Sequence, residues 1–278
     1  MIDSYYNGKL GSFCDMRIPL TDRAIWFGDG IYDAAISRNQ KIYMLQEHLE
    51  RFVGNAKRMD IPLYCSPAEL KEILIGLASS SDDCKFLYFQ LTRFSERRSH
   101  SYADTERSNL LITASDIHLP SPDATLNLIC LNDIRYRLCD VKTLNLIPAV
   151  LASRAAADKG ADEAILLRDG TVTECAHSNV SIIKRGELLT HPTDETILPG
   201  TTRSALIRIA RAHGIPVREK PFGYEELISA DEVLITSTSK LCQRAKTIDQ
   251  TEFDTTGVGL GLMLCKAMFQ EFFRCTSQ

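Results

Sequence analysis

The sequence predicts an α+β protein with two domains. Three observations support this fold class: helical and strand patterns alternate in the first half of the chain, strand patterns separated by turns dominate the second half, and a proline-containing segment lies between the halves. The 278 residues, of which 44% are hydrophobic and 24% are charged, are sufficient for two ordinary domains.

Two helical patterns occur in the first half. The segment QEHLERFVGNAKRM (46–59) has apolar residues at helical spacing. The second pattern, SPAELKEILIGLASS, begins with Ser66 as a helix N-cap, Pro67 at the first helical position and Glu69 three residues after the cap. Both segments are therefore predicted to be helices.

Strand patterns complete the first half, and a linker ends it. The segments FLYFQLTR (86–93) and LLITAS (110–115) are rich in aromatic and β-branched residues, which favour strands. The following segment, HLPSPDA, contains two prolines that neither continue a helix nor donate to a sheet. We therefore predict a small α/β domain over 1–118, a linker over 119–124 and a larger domain over 125–278.

The second half begins with a predicted β-meander. In the segment 163–191, the turn signals Asp169-Gly170 and Arg185-Gly186 separate three strand patterns. The segment TTRSALIRIARAHG (201–214) is predicted to be a helix that starts at threonines, and ADEVLITSTS (230–239) to be a strand that runs into a hydroxyl-rich loop. The last seventeen or so residues predict an amphipathic helix.

Composition excludes several classes of function. The formal charge of −4, with acidic and basic residues intermixed, offers no basic stripe for a nucleic acid. No apolar run is long enough to span a bilayer, and the first residues lack the order of a signal peptide, so we expect a cytoplasmic protein. The nine cysteines contain no C-x-x-C pair that would indicate a metal site or redox motif, and we expect most to be buried thiols.

One lysine lies where a strand pattern gives way to a helix pattern, in the segment RYRLCDVKTLNLIPAV (135–150). A buried lysine either finds an anion or has a lowered pKa, and a neutral amine condenses with an aldehyde. Lys142 is therefore a candidate for a Schiff base. The alternative is that its side chain extends along the surface into solvent.

Hydroxyl groups and an arginine suggest a phosphate site. Thr201 and Thr202 stand at a predicted helix start, where backbone N–H groups and the helix dipole favour an anion. The loop Thr236-Ser237-Thr238 and the Arg51 guanidinium are further candidates. Each has a plainer alternative: a helix cap, an ordinary loop or a solvated arginine.

A carboxylate completes the candidate site. Glu174 lies inside a predicted strand, where an unpaired carboxylate is costly and needs a cationic partner. A protonated pyridine nitrogen would serve, because a carboxylate beside it favours the charged ring. The alternative is a salt bridge with an arginine.

Six segments together resemble the fold-type IV pyridoxal-phosphate enzymes, which include D-amino-acid aminotransferases, branched-chain aminotransferases and aminodeoxychorismate lyase. The resemblance covers nearly the whole chain and implies a small N-terminal α/β domain followed by a larger, β-rich pseudo-barrel domain with flanking helices. The segments, in chain order, are DRAIWFGDGIYDAA, EHLERF, DVKTLNLIPAVLASRAAADKGADEAILL, GTVTECAHSNV, LPGTTRSAL and ADEVLITSTS.

The resemblance implies a role for each candidate residue. Lys142 would bind the aldehyde of pyridoxal 5'-phosphate covalently, and Glu174 would face the pyridine nitrogen. Ser178 would lie near the cofactor ring. The residues implied to hold the phosphate are Arg51, Thr201, Thr202, Ser237 and Thr238.

The segment RFSERRSHSY (93–102) indicates which member of the family the chain resembles. Arg98 and His100, with Tyr32 from the early segment, match the residues that hold the substrate α-carboxylate in the D-amino-acid aminotransferases. The resemblance also implies a homodimer, in which this loop reaches the site of the neighbouring subunit. The alternative is that Arg98 and His100 belong to a solvated loop.

We therefore expect a D-amino-acid transaminase that uses 2-oxoglutarate or pyruvate as acceptor and shows ping-pong kinetics. Aminodeoxychorismate lyase and branched-chain L-amino-acid aminotransferase are the alternatives on the same scaffold. A non-catalytic binding protein and a cofactor-free Schiff-base aldolase are alternatives from other classes. The segments 94–97 and 240–246 depart from the family pattern, which leaves the side-chain preference open.

Overall fold

The computed structural model divides the chain into two compact units. The residues described are 2–79, 84–94, 97–102 and 107–277. Unit 1 comprises Met1–His118, Val141–Asn145 and Arg274–Gln278, and unit 2 comprises Leu119–Asp140 and Leu146–Phe273.

Two short segments of unit 1 follow the predicted linker in the sequence, so the predicted domain 125–278 differs from unit 2 there. Thr143 forms an isolated antiparallel bridge with Ile31. At the C-terminus, Asn39 Nδ2 donates to the backbone oxygen of Thr276 at 2.9 Å, and Lys41 Nζ donates to that of Ser277 at 2.7 Å. These long-range backbone contacts tie both segments to unit 1.

Unit 1 is built on a six-stranded antiparallel sheet with strand order β2-β1-β6-β5-β3-β4. The strands are β1 (Ser4–Tyr6), β2 (Lys9–Gly11), β3 (Gly30–Arg38), β4 (Lys41–Ile42), β5 (Lys85–Arg93) and β6 (Ser108–Asp116). The helices are α1 (Arg23–Phe27), α2 (Leu45–Arg58) and α3 (Pro67–Ala78), and Phe13–Asp15 forms a 3-10 turn. The predicted helices and strands of the first half are all present.

The helix α3 shows why the local pattern was sufficient there. Ser66 Oγ accepts from the Glu69 backbone N–H at 3.2 Å, and the Ser66 backbone N–H donates to Glu69 Oε2 at 2.8 Å, which forms the predicted capping box. Leu70 and Leu74, one turn apart, are buried in a core that also contains Phe52 of α2. The capping pattern and the apolar spacing therefore determined the same helix.

Unit 2 is built on a nine-stranded mixed sheet with order β12-β11-β10-β13-β14-β7-β8-β9, in which β15 also pairs with β14. The strands are β7 (Thr125–Asn132), β8 (Glu163–Arg168), β9 (Thr171–Cys175), β10 (Asn179–Lys184), β11 (Glu187–Thr190), β12 (Val217–Glu219), β13 (Glu232–Ser237), β14 (Leu241–Ile248) and β15 (Thr251–Glu252). The helices are α4 (Ile147–Asp158), α5 (Thr201–Ala212), α6 (Tyr224–Ile228) and α7 (Leu260–Cys275). The end strand β9 contacts β10, so the sheet curls on itself, as the pseudo-barrel expectation requires.

The predicted meander is wrong at one point: the segment between its two turns, predicted as one strand, forms the two strands β9 and β10. The chain turns at Ala176–Ser178 between β9 and β10, where the Cys175 backbone N–H donates to the Ser178 carbonyl at 2.8 Å. The predicted turns are present, with Asp169 at φ 51° and Gly170 at φ 78°, as a type I′ hairpin turn requires. The extra turn places Ser178 off the strand.

No helix among the described residues combines the length and apolar composition needed to cross a bilayer.

Candidate active site

Lys142 lies in the irregular segment of unit 1 that precedes α4, at the centre of a tight turn in which the Thr143 backbone N–H donates to the Val141 carbonyl at 2.9 Å. The sequence pattern predicted Lys142 where a strand leads directly into a helix. This prediction is wrong, because α4 begins only at Ile147. The Tyr32 backbone N–H donates to the Lys142 carbonyl at 2.9 Å, which holds this segment against β3. The half-buried Lys142 side chain places Nζ 4.3 Å from the centroid of the Tyr32 ring. Two of the predicted site residues are therefore in contact.

The Tyr32 ring is itself held by a second tyrosine. Tyr88 on the neighbouring strand β5 stacks on it, with ring centroids 5.4 Å apart and an interplanar angle of 28°. Burial, and secondarily the Tyr32 phenol, raises the pKa of Tyr88, whose hydroxyl donates to Gln90 Oε1 at 2.7 Å. The ring that contacts Lys142 is therefore fixed by a neutral partner.

Arg51 on α2 is anchored by a buried aspartate. Its Nε donates to Asp33 Oδ2 at 2.8 Å and its Nη2 to Asp33 Oδ1 at 2.7 Å. His48 Nδ1 lies 2.9 Å from the same Oδ1. Burial alone would raise the pKa of Asp33, but the Arg51 charge and the hydrogen bonds with His48 and Arg51 hold it well below its usual range. Asp33 is therefore a permanent anion that orients the Arg51 guanidinium.

Arg98 and His100 lie together in the exposed loop 97–102. The Arg98 guanidinium carbon is 5.2 Å from the centroid of the Phe27 ring, and the His100 ring centroid is also 5.2 Å from it. Arg23 Nη1 donates to the backbone oxygen of Ser99 at 2.7 Å, which anchors the loop. Of the divergent segment 94–97, residues 95 and 96 lie outside the described residues.

The three residues predicted to bind a substrate carboxylate are therefore divided between two clusters of unit 1. Tyr32 contacts Tyr88 and Lys142, whereas Arg98 and His100 contact Phe27.

In unit 2, Glu174 is a buried carboxylate whose two oxygens both accept hydrogen bonds. Oε2 accepts from Asn179 Nδ2 at 2.8 Å and from the Leu198 backbone N–H at 3.0 Å. Oε1 accepts from Arg135 Nη1, so the arginine salt bridge given as an alternative is present. Arg135 was not among the residues predicted from the sequence, although its position two residues after Asp133, with which it also forms an ion pair, was a weak local signal.

Gly200 allows the segment before α5 to approach Asn179. A Cβ atom at position 200 would lie 2.0 Å from Asn179 Oδ1, so any other residue would displace the Asn179 amide, whose Nδ2 donates to Glu174 Oε2 and to the Leu198 carbonyl. Asn179 is opposite Thr236 in the pairing of β10 with β13. The start of α5, the Glu174–Asn179 pair and the hydroxyl-rich end of β13 are therefore brought to one end of unit 2.

The start of α5 fits a phosphate group. Its N-cap is Gly200, which has no side chain, so Thr201 and Thr202 are the first helical residues and not the cap. Both threonines are buried, and the nearby Thr236 Oγ1 is buried without a hydrogen-bond partner among the described residues. Backbone N–H groups of a first helical turn and hydroxyl groups are the donors that a phosphate accepts from. Ser237 and Thr238, at the end of β13, are half-buried.

Comparisons with known proteins identify the family of this chain. The family model described as amino-transferase class IV matches residues 30–248. The chain belongs to the class IV aminotransferase family. This membership confirms the predicted enzyme class, an aminotransferase that depends on pyridoxal 5'-phosphate.

Two relatives and one solved structure each match most of this chain. A D-alanine aminotransferase of Listeria monocytogenes is 37% identical over 231 residues, which cover 81% of this chain and 80% of the relative. One from Bacillus licheniformis is 34% identical over 259 residues, covering 92% and 90%. The structure of a branched-chain aminotransferase from Thermoproteus uzoniensis has a TM-score of 0.91 at 20% identity, covering 99% and 96%. The last similarity confirms the predicted fold class.

Proposed function

We propose that this protein transfers the amino group of a D-amino acid such as D-alanine to a 2-keto acid, either 2-oxoglutarate or pyruvate. Family membership supplies the reaction class. The observation that carries the D-amino-acid assignment is the pairing of Arg98 with His100 on the Phe27 ring. The D-alanine aminotransferase relatives, which are 34% to 37% identical, support it.

Lys142 is the proposed catalytic residue. Its Nζ would hold the cofactor aldehyde covalently, and as a free amine it would take the proton from the substrate Cα as general base and give that proton back as general acid. The contact between Nζ and the Tyr32 ring gives the amine a defined position, because Tyr88 holds that ring in turn. Bound pyridoxal 5'-phosphate supplies the electron sink for the charge left at Cα.

The remaining residues have the proposed role of binding and orienting the cofactor. Glu174 would face the pyridine nitrogen and favour its protonated form, and the donors Arg135 and Asn179 keep this carboxylate in place. Ser178 would lie near the ring. The phosphate would be held by the start of α5 and by the residues Arg51, Thr201, Thr202, Ser237 and Thr238.

A substrate panel tests the assignment. Purified protein with pyridoxal 5'-phosphate and 2-oxoglutarate should form pyruvate from D-alanine at least about tenfold faster than from L-alanine, and initial rates should show ping-pong kinetics. Faster turnover of L-leucine would favour the branched-chain aminotransferase. Release of pyruvate from aminodeoxychorismate without an acceptor would favour the lyase. Either result would contradict the proposal.

Arg98→Leu should weaken substrate binding while cofactor binding stays unchanged. A charge-assisted hydrogen bond to a carboxylate contributes about 1.5–3 kcal/mol, so kcat/KM for D-alanine should fall about 10-fold to 150-fold, mainly through KM. The neighbouring Arg97 is also exposed, so Arg97→Leu is the matched control and should retain kcat/KM. Equal effects of both substitutions would remove the assigned role.

We also propose a homodimer in which the loop 97–102 reaches the site of the second subunit. In α4, Ile147, Val150 and Leu151 follow helical spacing and are 65%, 57% and 55% exposed in the single chain. This exposed apolar face supports the proposal, because a second subunit would cover it. Leu151→Glu should convert the dimer to monomers in light scattering and abolish transamination. Lys159→Glu, at the exposed end of α4, is the control. An active monomer would contradict the proposal.

A cytoplasmic location is part of the proposal. Its support is the buried pair Cys242 and Cys265, whose sulfur atoms lie 3.4 Å apart as thiols, as expected in a reducing compartment.

A further inference from the structure

Glu163, the first residue of β8, is a fully buried carboxylate that the proposed mechanism does not use. Its Oε1 accepts from the His177 backbone N–H at 3.1 Å, and His177 Nδ1 lies 3.2 Å from the same atom. Its Oε2 accepts from Ser178 Oγ at 3.0 Å and from Lys240 Nζ at 3.0 Å. One carboxylate therefore joins the turn between β9 and β10 to the turn between β13 and β14.

Lys240 supplies the charge that a buried carboxylate needs. Its side chain is 21% exposed, whereas that of Glu163 is 0% exposed. The Lys240 backbone N–H donates to Ser237 Oγ at 3.3 Å, so the same residue holds both Glu163 and the hydroxyl loop. Breaking such a buried ion pair is costly, because removing one partner leaves the other charge uncompensated.

We propose that Glu163 and Lys240 are positioning residues for the cofactor. They set the places of Ser178, on one turn, and of Ser237 and Thr238, on the other, and neither touches the reacting atoms. This inference rests on the proposed function, because those hydroxyls are the proposed cofactor contacts.

The test measures the dissociation constant of pyridoxal 5'-phosphate for the cofactor-free protein, alongside its thermal midpoint. Lys240→Met and Glu163→Gln should each weaken cofactor binding at least about tenfold. Lys240→Arg, which keeps the positive charge, should restore binding to within about threefold. The double variant should lose less than the product of the single losses, because the two side chains act on one another.

The control is Lys266→Met in the same unit. It removes an exposed ion pair, in which Lys266 Nζ lies 3.1 Å from Asp123 Oδ1, and it should leave the dissociation constant unchanged. If a single variant fails to fold, the dissociation constant is measured on the double variant instead, because the double variant buries no unpaired charge from this ion pair. Wild-type binding in folded single variants, or in the double variant, would overturn the inference alone. Failure of the wild-type protein to bind the cofactor would overturn the proposed function as well.

Discussion

Lys142→Ala should abolish transamination of D-alanine, lowering kcat by at least about 10⁴-fold, at the upper end of what one acid–base group contributes. The loss arises because the Nζ atom that binds the aldehyde and moves the proton is removed. The fold should persist, since the backbone carbonyl that accepts from Tyr32 is retained and the side chain is only half-buried. The measurement is the rate of pyruvate formation with 2-oxoglutarate as acceptor.

Two further observations separate a catalytic loss from a folding defect. Borohydride should attach the cofactor covalently to the wild-type chain and not to Lys142→Ala, as read by mass spectrometry. Lys57→Ala removes an exposed lysine at the end of α2 and should behave as wild type in both assays. Retained wild-type turnover in Lys142→Ala would refute the role of this amine.

Glu174→Gln should lower kcat by about 10²-fold to 10³-fold, which is the effect of removing one group that stabilises developing charge. A neutral amide no longer favours the protonated pyridine nitrogen. It also introduces a donor where the structure provides donors, because Arg135, Asn179 and the Leu198 backbone N–H all point at the carboxylate. The KM for D-alanine should change much less than kcat, and steady-state kinetics measures both.

A second glutamate in unit 2 serves as the control for Glu174. Glu187 on β11 pairs with Arg218 at 2.8 Å near the surface, so Glu187→Gln removes a carboxylate from an ion pair that has no proposed role in the site. Its kcat should match that of wild type. If Glu174→Gln kept kcat within about threefold of wild type in a folded, cofactor-bound protein, the assigned role would be wrong.

Local patterns predicted well where the physical cause is local. The capping box of α3, the hairpin turn at Asp169-Gly170 and the apolar spacing of α2 each depend on residues a few positions apart. Local patterns failed where distant chain segments decide. Arg135 meets Glu174 across 39 positions, and Lys240 meets Glu163 across 77, and neither pairing has a sequence signature.

The residue types and their order were enough to identify the fold class and the enzyme family, and to single out Lys142 as a candidate, because helix caps, turn residues and family motifs consist of residues close together in the sequence. Folding was needed to place Lys142 in an irregular segment bridged to β3 and to put Ser178 on a turn. It was also needed to give Glu174 its set of donors. A buried charge takes whichever partner the packing of strands and helices brings within hydrogen-bond distance, and that partner is chosen in space.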